Sequence, residues 1–300
     1  MSLLARYKNG NYVVRLYDDG TKTKRNNLDS FIPAFAESID MTITTKCNGG
    51  CKYCYLDCNE NGIHADLNDP IFKHMHPGTE LALNANDLSH PGLEDFLIRM
   101  KNNKIICNLT INQKHLISCV DRLKEWQDKK LIYGIGISLT DSTDSKLFDC
   151  VEKLNNTVLH VIDGCLTKAD LENLYGHNLK LLILGFKHKG RGLDYYNDFK
   201  ESVDSNIEFL KNHLYEYRDG FSGFCYDTLA IENLEIRKSV SEEKWATNHM
   251  GEEGEFTFFI DLPNRTYAIS SLETENIFPI NENDTLDTMF HHIRHIAKFE

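Results

Sequence analysis

Cys47, Cys51 and Cys54 stand in the order C-x3-C-x2-C within CNGGCKYC, and Cys58 follows four residues later. Three thiolates on one short loop can hold three corners of an iron–sulfur cubane. A [4Fe–4S] cluster takes four protein sulfurs when it only carries electrons, so three leave one iron open to a small molecule. Gly49 and Gly50 let such a loop turn tightly and offer backbone N–H groups to sulfide. The competing chemistry is a structural Zn²⁺ held by Cys47, Cys51, Cys54 and Cys58. Structural zinc sites more often use two separated knuckles, whereas these four cysteines share one loop. A fourth thiolate from Cys58 would also close the reactive iron, which makes Cys58 a neighbour of the cluster and not a ligand. The chain has nine cysteines, an odd number in 300 residues, which favours thiols in a reducing compartment over a disulfide framework.

The elements around this loop form a repeating pattern. Short apolar runs at 39–44, 80–84, 105–111, 133–139, 157–162 and 179–184 read as strands. Segments 92–103, 115–129 and 166–176 between them read as helices. Six β/α units in series predict an α/β fold, a partial (β/α)6 TIM-like barrel spanning 38–217. The cysteine loop leaves its first strand. Residues 1–37 predict an N-terminal β-hairpin, with NYVVRLY alternating, a turn at Asp18 to Gly20, and TKTKR as a polar exit. A helix is expected from Tyr195 to about Tyr217. Residues 218–300 predict a small extension of strands at DTLAIENLEI, EFTFFID and RTYAISS, closed by an amphipathic helix with Asp284 as its N-cap.

With CNGGCKYC after the first β/α strand, the sequence resembles the radical S-adenosylmethionine (SAM) superfamily. ELALNANDLSHPGLEDFL, NLTINQKHL and LGFKHKGRG extend the likeness, over about 38–272, to radical SAM proteins of phages and anaerobic bacteria. The resemblance implies a [4Fe–4S] cluster on Cys47, Cys51 and Cys54, with SAM chelating its open iron. Reductive cleavage of SAM would give a 5′-deoxyadenosyl radical that abstracts hydrogen from a small-molecule, peptide or protein substrate. It also implies that Tyr53 lies near the adenine. Gly78-Thr79-Glu80, at the end of the second strand, would hold the SAM amino group chiefly through Glu80. Ser138 would touch the ribose or carboxylate, and Gly185 would let the backbone approach the adenine. A low-potential cluster needs a ferredoxin- or flavodoxin-like electron donor. The other enzymatic reading is a glycyl-radical activase; the non-catalytic one is a zinc- or iron–sulfur-stabilised binding module.

Lys187, His188, Lys189 and Arg191 form a cationic loop after the sixth strand, where Lys187 and Arg191 could receive an anionic group. Cys107, Cys119, Cys150 and Cys165 are expected as core packing. Cys225 is the candidate radical relay or hydrogen-atom donor. His291 and His295 lie one turn apart on the last helix but lack the glutamate of a zinc-protease motif, and are expected at the surface. Net charge −12 opposes broad nucleic-acid binding. No apolar run approaches the roughly 20 residues that cross a bilayer, and the N-terminus lacks a signal-peptide core. A cytoplasmic protein is the expectation.

Overall fold

The computed structural model describes residues 2–28 and 30–299. Strands β1 (Leu3–Asn9), β2 (Tyr12–Tyr17) and β3 (Lys22–Arg25) form an antiparallel sheet in the order β1-β2-β3. The expected hairpin is therefore a three-stranded meander, because TKTKR is a strand and not an exit. Its lysines turn inward: Lys22 pairs with Glu80 (2.6 Å) and Glu37 (3.5 Å), and Lys24 with Glu37 (3.1 Å). Charges satisfied in this way can sit where apolar residues otherwise would.

The second sheet has ten strands. In chain order the elements are β4 (Ser38–Thr42), β5 (Glu80–Asn86), α1 (Leu93–Asn102), β6 (Ile106–Asn112), α2 (Gln113–Asp128), β7 (Ile135–Ser138), α3 (Ser145–Lys153) and β8 (Thr157–Ile162). There follow α4 (Lys168–Leu174), β9 (Lys180–Leu184), α5 (Arg191–His213), β10 (Gly223–Tyr226), α6 (Thr228–Asn233), α7 (Ile236–Ser239) and α8 (Glu242–Asn248). The chain closes with β11 (Thr257–Asp261), β12 (Thr266–Ala268), β13 (Phe278–Pro279) and α9 (Leu286–Ile296). The spatial order is β10-β9-β8-β7-β6-β5-β4-β11-β12-β13. Pairing is parallel from β10 through β11 and antiparallel beyond. Among the described residues the sheet is open, with no closed barrel.

Alternation gives the strands two different faces. Met41, Leu81, Leu83, Leu109, Ile111, Ile137, Leu159, Leu181 and Ile183 are almost fully buried in one core, together with Phe96 and Leu97 of α1 and Leu116 and Leu123 of α2. The opposite face mixes polar side chains with apolar ones such as Val158, Leu182 and Phe259 and borders a cavity of about 1790 Å³. Cys107, Cys119 and Cys150 are buried in the core as expected, whereas Cys165 is half-buried.

Two C-terminal expectations are corrected. DTLAIENLEI is not a strand: Asp227 caps α6 by accepting from Ala230 N at 2.8 Å. The last helix is capped by Thr285 in a reciprocal box with Thr288, while Asp284 instead accepts from Asn281 N at 2.7 Å.

Candidate functional site

Strand β4 delivers the chain to the cysteine loop at its C-terminal end, the same end at which β5, β6 and β7 finish. Three neighbours fix the loop. Asn86, at the end of β5 with φ +51°, donates to Thr44 O (3.3 Å) and Lys46 O (3.0 Å), anchoring the entry. Lys114, in the first turn of α2, donates to Gly49 O. Arg191, at the start of α5, donates from Nε to Cys51 O (3.1 Å) and from Nη2 to Cys58 O (2.8 Å), and pairs with Asp57. Its backbone N–H reaches Cys54 O at 3.1 Å. A planar, always charged fork suits this multipoint role.

All nine cysteines are free thiols, and Cys47, Cys51 and Cys54 all border the cavity. Gly49 N–H points at Cys47 Sγ (3.3 Å) and Asn112 Nδ2 at Cys51 Sγ (3.1 Å). Asn112 also caps α2 by accepting from Lys114 N at 3.0 Å, so one side chain joins the loop to the helix. Cys58 is buried, and a hydrogen bond from its thiol to Cys54 favours the thiolate at Cys54. That places Cys58 beside the three-cysteine set as a donor. Burial raises the Cys47 thiol. Gly50 has φ +63° and open space where a Cβ would stand, leaving room above the loop. N–H donors and two nearby cations are the surroundings that thiolate ligands require. Cys47, Cys51 and Cys54 thus lie among N–H donors and cations that would suit the thiolates of a cluster held at three corners. Among the described residues no three His, Cys, Asp or Glu side chains gather as a single metal ion needs. A cubane asks for a different arrangement, since each corner binds its own iron.

The cavity wall is built in levels across the parallel strands. Nearest the loop, Asn112, Ser138, His160, Leu182 and Cys225 lie side by side on β6 to β10. Below them run Thr42, Asn84, Thr110, Gly136 and Val158, and then Asp40, Ala82 and Asn108. Gly136 is required here, since a Cβ would meet His160 at 2.4 Å. The His160 imidazole is pushed down to about 4 by burial. A base held below its ordinary 6.5 takes its proton more readily in the unfolded chain, so stability falls as pH drops from 6.5 towards 4 and levels off below. We expect this group to contribute a loss on the order of 2 kcal/mol over that range. Urea unfolding at several pH values checks it; a His160→Asn chain with an identical pH profile would refute it.

The other expected residues divide. Tyr53 borders the cavity, edge-on to Tyr195 at 5.7 Å, and Ser138 ends β7 at the loop-side level. Cys225 is exposed and borders the cavity on β10. Gly78, Thr79 and Glu80 lie at the start of β5, opposite the cysteine loop. There Gly78 (φ +95°) makes room for the Tyr7 ring, which a Cβ would meet at 2.3 Å, and Glu80 is paired with Lys22. The groups at the end of β5 that face the loop are Asn84 and Asn86. Gly185 accommodates the protein's own α6, since a Cβ there would meet Leu229 at 2.3 Å. Arg191 is occupied by the cysteine loop. Lys187 donates to Ser271 Oγ (2.7 Å) and lies over the Tyr55 ring (4.0 Å), and both it and Arg191 border the cavity. Asp40, Asn84 and His160 escaped the sequence reading; the signal was a polar residue at every second strand position. No helix among the described residues is long and apolar enough to cross a membrane. No known family model and no curated protein matches this chain.

Proposed function

We propose that the protein is a radical SAM enzyme acting on an organic substrate bound inside the cavity, and that the sheet curls around that cavity as a partial (β/α)6 barrel. The observation that carries this reading is the placement of Cys47, Cys51 and Cys54 over a large cavity lined by apolar residues with polar groups interspersed, at the end where the parallel strands finish. Cys47, Cys51 and Cys54 would hold a [4Fe–4S] cluster, which together with SAM would supply reductive SAM cleavage and hydrogen-atom abstraction. The chain's own residues do the rest. Arg191, Asn86 and Lys114 hold the loop, and the N–H groups of Gly49 and Asn112 stabilise thiolate charge. Tyr53 and Tyr195 exclude water beside the loop. Asn84 takes the place expected for Glu80, as the cavity-facing polar group near the end of β5. Asn112, Ser138 and His160 offer hydrogen bonds that orient what binds beneath. Typical ligand cavities measure roughly 300–1,000 Å³, so about 1790 Å³ has room for SAM and a second molecule. An external ferredoxin- or flavodoxin-like protein serves as the electron donor.

The test is iron, sulfide and zinc content of protein purified without oxygen, with electron paramagnetic resonance of the reduced sample before and after SAM. About four irons and four sulfides per chain, a signal altered by SAM, and 5′-deoxyadenosine release are expected. Stoichiometric zinc without iron after reconstitution would replace this reading with a metal-stabilised binding module.

A further inference from the structure

Asp40 lies in the middle of β4 with its side chain facing the cavity. Its neighbours at the same level are Ala82 on β5 and Phe259 on β11, neither of which has a side-chain hydrogen-bond donor. Among the described residues the carboxylate forms no hydrogen bond and no ion pair, and the charges acting on it are Lys187, Asp227 and Glu80. Lys187, the cation among these, is engaged by Ser271 and the Tyr55 ring, while Asp227 accepts from Gly185 N and Ala230 N. Lys22 is taken by Glu80 and Glu37.

A second observation is independent of charge. Thr42, two residues along and on the same face of β4, is 1% exposed, borders the cavity, and its hydroxyl has no hydrogen-bond partner. A buried hydroxyl left unpaired costs about 1–3 kcal/mol unless a ligand completes it. Phe259, also at the cavity, adds an aromatic side chain beside the carboxylate.

We propose that Asp40, Thr42 and Phe259 form a subsite for an alkylammonium group, and that the substrate of the reaction proposed above carries a protonated aliphatic amine. An unpaired carboxylate offers a charge-assisted hydrogen bond to such a cation, an aromatic face attracts it, and the threonine hydroxyl accepts a further N–H. The reaction rests on the radical SAM reading; the subsite does not, because β4 and β11 present it whether or not the cysteines hold iron.

The test is calorimetric titration of the full-length protein, iron-loaded and iron-free, with n-butylammonium chloride, n-butanol and, in a separate arm, SAM. Saturable n-butylammonium binding is expected in both forms, weakened about tenfold or more by Asp40→Asn and partly retained by Asp40→Glu. Thermal melting of each variant verifies the fold. Absence of n-butylammonium binding, equal affinity in Asp40→Asn, or equally tight n-butanol binding would overturn the subsite. An Asp40→Asn effect on SAM alone would assign the ammonium to the cofactor and overturn the substrate class. Iron-free binding that depends on Asp40, in a protein that never assembles a cluster, would preserve the subsite while removing the radical reading.

Discussion

We expect a Cys51→Ala chain to stay folded, to lack iron, and to release no more 5′-deoxyadenosine than a Cys54→Ala control. The fold survives because Cys51 lies on a loop outside the buried core; its sulfur's protein partner is the Asn112 amide, which alanine leaves free to find water. On the radical SAM reading the chemistry would fail because two corners cannot retain a cluster that needs three. The expected fall is from about four irons per chain to less than one, read by iron and sulfide analysis beside far-ultraviolet circular dichroism. A variant that unfolds would favour metal as part of the folding free energy, the mark of a structural module. A variant that keeps its iron would remove Cys51 from the ligand set.

Arg191→Ala comes second in expected effect and acts without touching iron. Its guanidinium ties together the carbonyls of Cys51 and Cys58 and the carboxylate of Asp57. Removing it frees both flanks of Cys54 from α5, although the Arg191 backbone bond to Cys54 O remains. Groups that support metal ligands typically contribute 10–100-fold in metal affinity, so we expect iron loss to a chelator to accelerate by about that factor. Arg191→Lys should recover little, because a single ammonium cannot reproduce the fork. Chelator kinetics equal to those of the unaltered chain would show that the cysteine loop holds its shape alone.

The cysteine triad was legible in the sequence because its information is local, a spacing carried on eight residues. Strands β4 to β9, β11 and β12 were legible from their apolar runs, and β8 fell where TVLHVI placed it, whereas β10 and β13 were not expected. Gly78 to Glu80 were assigned to the end of the second strand by the resemblance, although chain order already puts them at the head of the 80–84 run, and they lead into β5. β3 was hidden because Lys22 and Lys24 point inward on the strength of Glu37 and Glu80, partners 12 or more residues away that no hydropathy pattern registers. In 227–236, apolar residues at 229, 231, 234 and 236 suit either period, and the Asp227 cap decides for the helix. Arg191 and Lys187 were recognised as cationic, but their true acceptors lie more than 80 residues away in sequence.

The N-terminal meander gives the cavity a floor. Its turn, from Tyr17 to Lys22, borders the chamber at the end where the parallel strands begin and reaches β9 through Lys180 and the Asp19 carbonyl (3.3 Å). The first 25 residues therefore supply one wall of a chamber whose other walls come from strands far along the chain.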